Sequence, residues 1–142
     1  MRIRRLIAAS AAALFTAATL VTPAPAEVTG TWACSVPAGY TYTSVTQSTQ
    51  CGSGGNTAPR YYIEVPANNL WACTAPSNLT YIPVTSSSQC STISTAPRYY
   101  LRTPQNNMWA CSIPSGYTYS QYVQSSECST IGTGPKYLLV KI

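Results

Sequence analysis

Three stretches of this chain alternate apolar and polar residues with a period of two. They run Pro59-Arg60-Tyr61-Tyr62-Ile63-Glu64, Pro97-Arg98-Tyr99-Tyr100-Leu101-Arg102 and Pro135-Lys136-Tyr137-Leu138-Leu139-Val140. Tyr61, Tyr99 and Tyr137 share one side with Ile63, Leu101 and Leu139, the pattern of a half-buried strand. The opposite, outward side carries Arg60-Tyr62-Glu64, Arg98-Tyr100-Arg102 and Lys136-Leu138-Val140. Trp-Ala-Cys at 32–34, 71–73 and 109–111 reads as a second strand. Thr41 to Cys51 and its equivalents, rich in Ser, Thr and Gln, read as a third. Pro83 interrupts that third strand in the second copy and predicts a sheet edge or a bulge there. The expectation is an all-β fold of about nine short antiparallel strands in a meander, three to a repeat.

The strands recur because the sequence does. Trp-Ala-Cys returns at intervals of 39 and 38 residues, and in every copy a second Cys follows the first by 17 positions. A repeat of this length is one supersecondary unit that buries its apolar face only by stacking on neighbours. The expected boundaries are 27–70, 71–108 and 109–142, three repeats of one compact domain. Gly39, Asn78 and Gly116 occupy one column, two residues after Pro37, Pro76 and Pro114. Gly and Asn tolerate positive φ, so the column predicts a tight turn. Asn68-Asn69 and Asn106-Asn107 lie between consecutive predicted strands and are expected to form hairpin turns joining the repeats.

Residues 1–26 have the parts of a secretory signal: Arg2, Arg4 and Arg5, then the apolar Leu6 to Val21, then Ala24-Pro25-Ala26. The apolar run falls short of the roughly 20 residues that span a bilayer. The expectation is therefore export, to the outside or the periplasm, with no membrane span after cleavage. Without the leader the formal charge falls from +5, leaving Arg60, Arg98, Arg102, Lys136 and Lys141 against three Glu, a net +2. Nucleic-acid binding, which rests on many Lys/Arg–phosphate contacts, is not expected.

The chain has no His and no Asp. Ser-His-Asp and Cys-His arrangements cannot be built. Glu64 and Glu127 fall at non-equivalent repeat positions, which argues against a glycosidase pair. No enzyme activity, metal or cofactor is expected; the Cys spacing lacks the Cys-x-x-Cys of zinc sites. Six Cys in an exported chain instead predict disulfides. Two pairings respect the repeat. The favoured one joins Cys34–Cys51, Cys73–Cys90 and Cys111–Cys128; the other joins Cys51–Cys73, Cys90–Cys111 and Cys34–Cys128.

The three disulfide-stapled repeats could close with pseudo-three-fold symmetry or form a linear array. Repeat number and length resemble those of the β-trefoil and β-prism lectins. The Gln-x-Trp of the ricin-type trefoil and the Gln-x-Asp-x-Asn-x-Val-x-Tyr of the monocot mannose lectins are both absent, so neither family is assigned.

Candidate ligand contacts follow from exposure. Arg60, Tyr62, Arg98, Tyr100, Arg102 and Lys136 form the outward strand face. Tyr40 and Tyr117 follow the turn column and are expected at loop tips. Trp32, Trp71 and Trp109 are read first as core residues packed over the disulfides, and second as sugar-stacking platforms. The expected function is multivalent, lectin-like recognition of a surface polysaccharide. The alternative is a structural exoprotein or one that binds an extracellular protein, with an inhibitor or toxin as minor variants.

Overall fold

A computed structural model describes residues 30–142. The expected signal segment, 1–26, and the start of the first repeat lie outside the described residues. Among the described residues there is no α-helix, and no helix long and apolar enough to cross a membrane.

Each repeat forms one three-stranded antiparallel sheet. The first contains β1 (Thr31–Ala33), β2 (Thr41–Ser48) and β3 (Ala58–Glu64). The second contains β4 (Trp71–Ala72), β5 (Thr80–Ser87) and β6 (Ala96–Arg102). The third contains β7 (Trp109–Ala110), β8 (Tyr117–Ser125) and β9 (Gly134–Lys141). Nine short strands are thus present, but the expected meander is corrected. The order in space is β1-β3-β2 and its two equivalents, so the last strand of each repeat lies in the middle. The Pro-Arg/Lys-Tyr strands carry the strongest alternation because they alone are paired along both edges.

The favoured cysteine pairing is the one observed. Cys34–Cys51, Cys73–Cys90 and Cys111–Cys128 have Cα separations of 5.3, 5.3 and 5.1 Å. Each bridge links the end of the short first strand to the segment following the second. It therefore staples the two outer strands around the start of the central one. The core is thin: Ile63, Leu101 and Leu139, one per sheet, with Ala72, Ala110, Val84 and three half-cystines. So small an apolar core needs the staples and the neighbouring repeats.

The repeats form an open line. Tyr42 accepts a hydrogen bond through its carbonyl from the Cys73 N–H at 2.8 Å, and Tyr81 accepts one from the Cys111 N–H at 2.9 Å. Thr41 and Thr80, both 0% exposed, plug the two junctions. The Thr41 hydroxyl donates to the Thr74 carbonyl at 3.0 Å, and the Thr80 hydroxyl to the Ser112 carbonyl at 2.9 Å. Among the described residues no hydrogen bond or disulfide joins the first repeat to the third.

Local turn chemistry is partly as expected. Tyr40, Leu79 and Tyr117 each donate a backbone bond to the Pro three residues earlier. Gly39 and Gly116 have φ of 84° and 82°, as a type II turn requires, whereas Asn78 stays out of the positive region. The same turn is therefore closed by a different backbone geometry in the second copy. Pro83 lies on the edge strand β5, within a register shift between Tyr81 and Val84. The Asn-Asn pairs do form turns, with Asn69 and Asn107 at φ 65° and 61°. They are not hairpins, because the strands on either side belong to different sheets. Instead Asn68 and Asn106 accept through Oδ1 from the N–H groups of Thr103 and Lys141, clamping the end of the next central strand.

Candidate functional site

Register decides which side chains share a face. Trp32 lies directly opposite Tyr62, Trp71 opposite Tyr100, and Trp109 opposite Leu138. The Trp column is thus on the same side as the Arg/Lys column, and the expectation that Trp is core is corrected: Trp32 is exposed, and Trp71 and Trp109 are half-buried. In the first repeat the Trp32 and Tyr62 rings meet edge to face at 5.4 Å, and the Arg60 guanidinium lies 5.6 Å from the Trp32 centroid. In the second, Trp71 and Tyr100 are 5.0 Å apart, with Arg98 5.7 Å from Trp71 and Arg102 5.9 Å from Tyr100. These separations are within the range of aromatic and cation–π attraction.

The result is a ladder rather than a row of free side chains. Arg60, Tyr62, Arg98, Tyr100 and Arg102 are half-buried, not exposed as alternation alone suggested, because Trp and Arg shield one another. Trp32, at 39%, is the most open of the rings in the two ladders. Among the described residues none of the three arginines pairs with a carboxylate, and the Nε–H groups of Arg98 and Arg102 are buried without an acceptor. The arrangement can offer flat aromatic surface beside cationic donors.

The third repeat diverges. Leu138 and Val140 replace Tyr62/Tyr100 and Glu64/Arg102. Lys136 is occupied by Glu127, whose carboxyl is held below the usual carboxylate range by the hydrogen bond from Lys136 and then by its charge. The structure therefore brings together two ladders, not three equivalent sites. Tyr40 and Tyr117 are not exposed loop tips: both are half-buried, and the Tyr117 hydroxyl donates to the Pro104 carbonyl at 3.0 Å.

The opposite face of each sheet is the packing face. Tyr42 meets Tyr61 at 5.0 Å, Tyr81 meets Tyr99 at 4.7 Å, and Tyr119 meets Tyr137 at 5.2 Å. Burial, reinforced by the neighbouring phenols, pushes the Tyr42 and Tyr81 hydroxyls above their ordinary value. Tyr42, Val45 and Tyr61 of the first repeat face Ser91, Thr92 and Ile93 of the second across a groove of about 270 Å³. Sequence reasoning missed two things here: that Trp stands beside Arg in the ladder, and that two members of the Thr41/Thr80/Thr118 column, Thr41 and Thr80, plug the junctions. The Thr column was legible as an identity repeated in all three copies. The Trp placement was not, since a strand of two or three residues shows no period of its own.

Comparison with protein-family models, curated proteins and solved structures finds no match.

Proposed function

We propose that the protein is a secreted, non-enzymatic binding protein that engages a surface polysaccharide bearing acidic groups. The observation that supports this reading is the pair of Trp–Tyr–Arg ladders, with three arginines that have no carboxylate partner. Aromatic faces suit the C–H faces of sugar rings, and guanidinium groups form charge-assisted bonds to carboxylates and sulfates. Two ladders on one chain provide avidity when both reach the same polymer. Three disulfides in so small a domain are compatible with the oxidising exterior.

The test is retention of the oxidised protein on immobilised acidic and neutral polysaccharides. Arg98→Ala/Arg102→Ala is compared with Lys136→Ala/Lys141→Ala, which removes the same charge outside the ladders. The arginine pair is expected to weaken retention on the acidic polymer by at least about tenfold, the loss of one charged hydrogen bond. The lysine pair is expected to leave it nearly unchanged. Equal losses in both variants reduce the binding to net charge, and no retention on any polysaccharide ends the reading in favour of a protein ligand.

A further inference from the structure

The junction between repeats is built twice, and both of its halves are left over at the ends of the stack. At each junction the upstream repeat supplies a Thr hydroxyl, a Tyr carbonyl and the packing face. The downstream repeat supplies a Cys N–H, a Ser/Thr carbonyl and hydroxyl, and the segment after its second Cys. In the third repeat the upstream set is Thr118, Tyr119 and Tyr122. All three are exposed among the described residues, Tyr122 by 62%, while Thr41 and Thr80 are fully buried. In the first repeat the downstream set is Cys34 and Ser35. Both are exposed, while Cys73 and Cys111 are 7% exposed. Repeat proteins that remain single normally end in capping repeats with a changed outer face. Here Ser35 keeps the hydroxyl found at Thr74 and Ser112, and Thr118 keeps the threonine.

The two open ends differ from the internal junctions in one matched respect. The packing-face column reads Val45, Val84, Tyr122. The segment that would face it reads Ser91-Thr92-Ile93 in the second repeat, Ser129-Thr130-Ile131 in the third and Gly52-Ser53-Gly54 in the first. The one large packing residue and the one small, glycine-rich segment meet only if a third repeat faces a first repeat. Such a volume exchange keeps a junction filled. Within one chain it never occurs, because the stack is open.

From this we infer that molecules associate head to tail, the third repeat of one docking on the first repeat of the next. The Thr118 hydroxyl donates to the Ser35 carbonyl of the second copy. The Cys34 N–H of that copy donates to the Tyr119 carbonyl, and the Tyr122 ring covers Gly52-Ser53-Gly54. The contact is heterologous, so it propagates the stack rather than closing a two-fold dimer.

Sedimentation velocity of the oxidised protein over a range of concentrations tests this. Wild type is expected to grow in steps of one chain mass. Ser35→Arg and Thr118→Arg change exposed residues at opposite ends, and each alone is expected to stay monomeric with an unchanged circular dichroism spectrum. Mixed together they retain one good end each, so the mixture is expected to form a dimer and nothing larger. A wild type that stays monomeric at every concentration overturns the inference. So does a dimer that both single variants still form, since that contact would be two-fold or non-specific.

Discussion

Thr41, Thr80 and Thr118 are one column of the repeat placed in two environments, which makes an internally controlled experiment. Replacing Thr by Val keeps the shape and the β-branch and removes only the hydroxyl. At Thr80 this deletes the bond to the Ser112 carbonyl at 2.9 Å and the pairing with the Ser112 hydroxyl at 3.0 Å. At Thr41 it deletes the bonds to the Thr74 carbonyl and hydroxyl, at 3.0 and 2.7 Å. A buried hydrogen bond contributes about 1 kcal/mol net, and a partner left unsatisfied raises the loss toward 3. Ser112 and Thr74 keep some access to water, so the expected cost is about 1–2 kcal/mol at each position. For a domain of this size that is a fall of roughly 4–8 °C in Tm. Thr118 is exposed and makes no such bond among the described residues, so Thr118→Val is expected to stay within about 0.5 kcal/mol. Thermal unfolding of the three variants, at concentrations low enough to keep the chain monomeric, decides the matter. Equal effects at all three positions would refute the assignment of Thr41 and Thr80 as junction plugs.

The staples and the packing-face tyrosines give two further expectations. Removing the middle bridge with Cys73→Ala/Cys90→Ala is expected to cost roughly 3 kcal/mol, for a loop closed over a sequence separation of 17; a urea-unfolding loss below about 1 kcal/mol contradicts this. The Tyr42 and Tyr81 phenols have folded pKa values above the ordinary 10.0, chiefly through burial. Their contribution to stability is therefore fully present below pH 10 and is lost as pH rises through the raised folded values. Ultraviolet titration should show late-ionising phenols that Tyr42→Phe and Tyr81→Phe remove. A single titration common to all 11 tyrosines would count against that environment.

Much of this architecture is local, and local features are legible in one sequence. The three copies can be compared with one another, so the strand count, the turn after each Pro and a choice of two cysteine pairings all emerge without a fold. Period-two alternation located Ile63, Leu101 and Leu139 as core because the central strands are long and paired on both sides. Alternation also misjudged Arg60 and Tyr62 as free, since it reports which face a residue is on and not what stands beside it on that face. The Trp column shows the limit. Shifting the register by one residue moves a side chain to the other face, and only strand pairing fixes the register.

The sequence by itself determined that this is a stapled, three-copy β protein with neither His nor Asp to support common catalytic sites. The tertiary structure decided the rest. It put the last strand of each repeat in the centre, set Trp beside Arg, tied Lys136 of the third repeat to Glu127, and left the described stack open at both ends. Each of those outcomes depends on contacts between residues that are not neighbours in the chain. The first three are chosen by strand pairing and side-chain packing within a repeat and the last by packing across repeats, and residue order alone carries no record of either.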